Sequence, residues 1–162
     1  MSSLKKHNTH YRYALTLTID DDAYTANDVL HGLITIPCGP GTLRSAKITD
    51  ADSEGAALDL YLFHTLPTIT DMDDDAAFAA TAANALNLLE QRLRFEAARY
   101  VTVASTDDYC FATLDSDAQL AVECHPTDGL NMYGLLVCVG TPTYTAATDL
   151  RLELLFWLDR AG

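Results

Sequence analysis

The sequence predicts a mainly β protein, a two-sheet β-sandwich or jelly roll with one short helix over about residues 76–91. Three observations carry this expectation. Segments that alternate apolar and polar residues recur along the chain, as strands with one buried face require. Clusters of Gly, Pro, Asp and Thr separate them at short intervals, the spacing of sandwich and jelly-roll strands. One stretch departs from the pattern: Ala76 to about Gln91 is rich in alanine and leucine, and Phe78, Ala82, Ala85, Leu86, Leu89 and Leu93 recur at three- and four-residue steps, the stripe of an amphipathic helix.

Each element follows from local pattern. Tyr11 to Ile19 alternates cleanly, with Tyr11, Tyr13, Leu15, Leu17 and Ile19 on one face. Leu33–Ile36 is a second strand, and Gly32 before it is placed to supply a positive φ. Pro37-Cys38-Gly39-Pro40-Gly41 is a turn with strong breakers, followed by a strand over Leu43–Ile48. In Leu58–Pro67, leucines 58, 60 and 62 occupy one face while Tyr61 and Phe63 occupy the other. Both faces are therefore expected to be covered, with this strand near the middle of a sheet and Pro67 ending it. The end of the helix is open: Leu93 and Phe95 alternate with Arg92 and Arg94, so Leu88 to Phe95 reads equally as a strand. Short strands are expected over Arg99–Ala104, Tyr109–Leu114 and Gln119–Cys124, then a turn at Pro126–Gly129, an apolar strand over Met132–Val139 and a closing strand over Leu150–Leu158.

A chain of 162 residues is expected to form one domain over residues 11–162, preceded by a flexible N-terminal arm over residues 1–10. With 23 acidic against 10 basic residues the formal net charge is −13. Phosphate backbones and anionic lipids repel such a chain, so neither nucleic acid nor membrane is expected as a partner. No apolar run approaches the ~20 residues that span a bilayer, and the polar, basic start lacks the apolar core of a secretory signal. Assembly in a cytoplasm is expected. Of the four cysteines, Cys38, Cys110, Cys124 and Cys138, none forms a C-x-x-C pair. They are expected as thiols, with Cys138 a small core residue.

Catalytic and metal-binding patterns are weak. Asp71, Asp73 and Asp75 match the first ligand positions of an EF-hand, but Ala76 stands where its turn needs glycine and Ala82 where a bidentate Glu is required. Acidic residues capping the following helix are the plainer account. The Gly39–Gly41 loop lacks the lysine and helix of a P-loop. Cys124 and His125 are adjacent, so a strand would point them to opposite faces. His64 reads as a hydrogen-bonded histidine at the rim of the core. No enzyme activity, metal or cofactor is expected.

Three segments in order resemble a family of small tailed-bacteriophage virion proteins, the capsid cement or decoration (head stabilisation) proteins. They are Tyr24–Gly32, with its Y-x-x-x-D-V-x-x-G pattern; Leu58–Phe63 with Pro67 and Asp75-Ala76-Ala77-Phe78; and Met132–Val137 through Thr141–Tyr144 to the last strand. The resemblance implies a β-sandwich or jelly roll, a homo-oligomer (dimer or trimer), the major capsid protein as partner, and a place on the outer surface of the mature head, across capsid-subunit seams. It implies no catalytic residues. The capsid contacts expected from the arm and two loops are Lys5, Lys6, His7 and Tyr11; Pro37, Gly39 and Pro40; and Thr141, Pro142 and Tyr144. Two alternatives stay open: another virion part such as a tail or connector protein, and a β-sandwich module binding sugar or calcium through the acidic run.

Overall fold

The computed structural model describes residues 9–81, 89–103, 107–112 and 121–159. They form two antiparallel sheets. The strands are β1 (Thr9–Thr16), β2 (Val29–Pro37), β3 (Gly41–Asp50), β4 (Leu58–Phe63), β5 (Leu89–Phe95), β6 (Val101–Thr102), β7 (Asp108–Phe111), β8 (Val122–Cys124), β9 (Asn131–Cys138) and β10 (Leu150–Leu158). One sheet runs β1-β10-β3-β7-β6, with β8 also pairing β3. The other is four-stranded, β2-β9-β4-β5. The expected mainly β sandwich is thus the observed architecture, and β4 lies inside its sheet between β9 and β5.

The sandwich core is made by the alternation read from the sequence. Leu150, Leu152, Leu154 and Phe156 of β10, with Leu43, Ala46 and Ile48 of β3, face Leu58, Leu60 and Leu62 of β4, with Leu93 and Phe95 of β5. Each fully buried side chain of this size contributes roughly 1.5–3 kcal/mol. Between Ser45 and Leu43 the β3–β10 register shifts, a bulge that leaves Arg44 as the extra residue.

The helix is the main correction. Residues 76–81 are extended, and residues 89–91 already belong to β5; residues 82–88 lie outside the described residues. The strand reading of Leu93 and Phe95 holds. Apart from one local bond, Ala76 N–H to the Asp73 carbonyl at 3.2 Å, the backbone bonds around this segment go to β2 and the turn before it. Val29 N–H donates to the Ala76 carbonyl at 2.8 Å, Phe78 N–H to Asn27 at 2.8 Å, and Asp75 N–H to Val29 at 2.9 Å. Helix propensity is a weak prior, and here apolar cover outweighs it. Val29, Phe63, Ile69, Leu135 and Val137 form a second cluster on the outer face of the four-stranded sheet, and Met72, Phe78 and Ala80 pack onto it. Phe78 lies on Tyr61, ring centroids 4.6 Å apart. The chain over residues 64–81 is therefore a strap, and it is why β4 carries aromatic residues on its second face.

The acidic run pins this strap instead of capping a helix. The Asp74 carboxylate accepts from the His31 N–H at 2.6 Å, the Asp20 N–H at 2.6 Å and the Tyr24 hydroxyl at 2.9 Å. The neighbouring Gly32 has φ +86, as expected, and an added Cβ there would stand 2.9 Å from the Met72 carbonyl oxygen. It sits within a β2 irregularity rather than before the strand, since pairing with β9 shifts between Leu30 and Ile34.

Candidate functional site

The outward face of the six-stranded sheet holds the most distinctive surface chemistry. Residues alternating with the core of β10 point outward: Arg151, Glu153, Leu155 and Trp157. Register places His10 opposite Trp157 and Arg12 opposite Leu155 on one side. On the other side Lys47 stands opposite Glu153, and Phe111 opposite Lys47. Side chains on one face of adjacent strands are neighbours, so four strands build one surface.

Glu153 is its electrostatic centre. It makes ion pairs with Arg12 and Lys47, and Arg151 Nε lies 3.4 Å from its Oε1. Hydrogen bonding from Lys47 and then Arg12 holds its carboxyl below the ordinary value, against the opposing effect of burial. The group stays ionised, and one carboxylate serves three cations. The local balance is positive on a strongly acidic protein. Aromatic and aliphatic groups lie beside the cations: Phe111 is 52% exposed and Leu155 36%. A shallow depression of about 340 Å³ is lined by Arg12, Ser45, Lys47, Phe111, Glu153 and Leu155. At its flank His10 stacks on Trp157, centroids 5.4 Å apart, and the Arg44 guanidinium lies 4.5 Å from the centroid of the same ring. Exposed apolar groups set among cations can bind an acidic protein surface by burying area and pairing charge at once.

The expected contact residues divide. Lys5, Lys6 and His7 lie outside the described residues. The ring of Tyr11 is half-buried and packs against the sandwich core beside Phe156, centroids 6.2 Å apart. Pro37 and Pro40 are exposed and Gly39 is half-buried. Thr141 is exposed, whereas Pro142 is buried and Tyr144 is 1% exposed. Register brings the start of β1 beside the Pro37–Gly41 loop, since Thr9 faces Leu158 and Leu158 faces Gly41. The Thr141–Tyr144 loop lies at the other end of β9, whose first residue pairs with Pro37. The start of β1 and the Pro37–Gly41 loop thus share an end, and the Thr141–Tyr144 loop does not. Sequence reasoning missed the Arg12–Lys47–Arg151–Glu153 group, though the polar positions of the first and last strands carried its signal.

The remaining candidates resolve as follows. Among the described residues no group of three or more His, Cys, Asp or Glu side chains is placed to hold a metal ion. Cys124 is buried while the His125 side chain is exposed, as expected of strand neighbours. All four cysteines are buried free thiols. Burial pushes Cys38 and Cys110 up to about 11 and Cys124 and Cys138 up to about 12, which leaves little thiolate at neutral pH. His64 Nδ1 lies 3.0 Å from Thr127 Oγ1 and from Thr65 Oγ1, a hydrogen-bonded rim histidine.

Fold and surface together define an antiparallel β-sandwich with one mixed cationic and apolar sheet face. Comparison with known proteins finds no matching family model, curated protein or solved structure.

Proposed function

We propose that this chain is a bacteriophage virion structural protein, a capsid cement protein that docks on the outer surface of the mature head across subunit seams. The single observation that carries the docking part is the sheet face around Glu153, where Phe111 and Leu155 are exposed between Arg12, Lys47 and Arg151. A protein of net charge −13 that gathers cations and apolar groups on one face is built to meet an acidic protein surface. The choice of a phage head rests on the family resemblance of the three sequence segments. Binding only the mature lattice would stabilise that state by linkage, and a dimer or trimer would turn weak contacts into avidity. The start of β1 and the Pro37–Gly41 loop, which share an end of the sandwich, extend the contact beyond the sheet face.

The test is sedimentation of the purified protein with heads of the encoding phage that lack it, with image reconstruction of the pellet. Saturable density at fixed lattice positions, sheet face inward, is the expected result. Free protein in the supernatant at all concentrations refutes the reading, and ring or tube assembly of the protein alone would place it in a tail or connector instead.

A further inference from the structure

A second polar centre lies inside the sandwich, away from the docking face. Asp50 closes β3 and Asp108 opens β7, and the two are direct register partners. Both side chains point inward: Asp50 is 0% exposed and Asp108 8%. Among the described residues neither makes an ion pair with a basic side chain. Asp50 accepts from Asp52 N–H and Gly55 N–H, each at 3.0 Å. Asp108 Oδ2 stands 4.0 Å, and the Tyr100 ring 3.8 Å, from the point where a Cβ on Gly55 would sit. Both carboxylates and Tyr100 therefore converge at Gly55. Tyr144 is 1% exposed; burial first, and then the negative charge of Asp50, pushes its hydroxyl above the ordinary value.

Among the described residues three buried oxygens have no hydrogen-bond partner: Asp108 Oδ1, Tyr100 Oη and Tyr144 Oη. Buried polar atoms are rarely left so, and two carboxylates facing each other in an apolar interior are costly. A water molecule would satisfy the oxygens and leave the charge. A proton would halve the charge and leave the hydroxyls. A cation offsets the charge and takes the oxygen lone pairs, and water in its shell accepts from the two phenol O–H groups.

We infer that Asp50, Asp108, Tyr100 and Tyr144 form an interior site for a hard, oxygen-preferring divalent cation such as calcium. An all-oxygen donor set excludes soft metals. Two carboxylates, with water completing the six to eight ligands calcium takes, place the affinity at the weak end, about 10⁻⁴–10⁻³ M. The site lies under the loop that joins β3 to β4. That loop is tied to the β9–β10 connection by Thr143 N–H to Glu54 at 3.2 Å and Thr145 N–H to Asp52 at 3.0 Å. The cation would thereby hold one end of the sandwich closed.

The experiment is thermal melting of the full chain at pH 7, stripped with chelator and then titrated with calcium chloride or magnesium chloride at constant ionic strength. The expected result is a saturable rise in midpoint, about 3–6 °C at ten times Kd for a chain of this size. Asp108→Asn should lose the response while melting, without calcium, no lower than the parent, because the repulsion is gone. Tyr144→Phe should weaken the response several-fold. A double variant Asp71→Asn/Asp73→Asn should keep it. A parent indifferent to both cations overturns the inference. So does a response that survives Asp108→Asn, or one that disappears when the exposed acidic run is neutralised.

Discussion

Replacing Asp74 by alanine should release the strap and cost more stability than any other change in the acidic run. The carboxylate serves three donors. The Asp20 N–H keeps an alternative, the Tyr24 hydroxyl oxygen at 2.7 Å. The His31 N–H loses its Asp74 acceptor, and the Tyr24 hydroxyl, on a residue 2% exposed, loses the same carboxylate. Two donors are thus orphaned, at about 1–3 kcal/mol each. Partial exposure of Asp74 lets water recover some of this, so the expected loss is about 2–4 kcal/mol. Asp71→Ala and Asp73→Ala remove exposed side chains and should stay within about 0.5 kcal/mol. Urea unfolding measures this directly. With a slope of about 2 kcal/mol/M, the Asp74→Ala midpoint should fall by about 1–2 M and the other two should barely move. Equal losses across all three variants, together with a loss of helical circular dichroism, would refute the clasp and restore helix capping.

Other expectations follow from single contacts. A Cβ added at Gly41 would collide with the Trp157 carbonyl oxygen and stand 2.8 Å from Leu158 Cα; Gly41→Ala should therefore destabilise by about 1–3 kcal/mol in the same assay, as overpacking does. Arg94 grips Asp59 through two hydrogen bonds of 2.7 Å, and Asp59 is 4% exposed; Arg94→Leu should cost more than Asp59→Asn, because it leaves a buried charge poorly compensated. Glu153, with its carboxyl held below the ordinary 4.5, contributes stability that is present above that pH and lost as pH falls through its lowered value. Asp50 has the opposite sign: burial raises it above 3.8, so its contribution is present below 3.8 and lost as pH rises through the raised value. Glu153→Gln should flatten the acid limb of a stability–pH curve in metal-free buffer, and Asp50→Asn the limb on the other side.

Much of the fold was legible because its signal is local. Period-two alternation placed β1 and β10 within a few residues, an apolar run placed β9, flanking turn residues placed β3, and leucines beside aromatics in β4 announced a strand covered on both faces. The strap was not legible. Its alanines favour a helix, and only contacts distant in sequence, Phe78 on Tyr61 and Asp74 on His31, override that preference. The docking face was partly legible. Arg12 and Glu153 were visible as outward positions, but joining them requires strand order, with β1 beside β10 and β10 beside β3. The same limit hid Asp50 and Asp108, which are ordinary turn residues in sequence and become a facing pair only through the β3–β7 register.

The most direct measurement is saturation binding of purified heads by the parent and by a Lys47→Glu/Leu155→Asp double variant, with melting midpoints recorded alongside. Both residues point outward from the sheet, but Lys47→Glu breaks the ion pair with Glu153, so the midpoint should fall while a cooperative transition shows that the variant is still folded at the binding temperature. The account predicts that it loses occupancy on the head at least tenfold while an Asp71→Asn/Asp73→Asn control, altered away from the sheet face, binds as the parent does. Full occupancy by the folded Lys47→Glu/Leu155→Asp protein would contradict it.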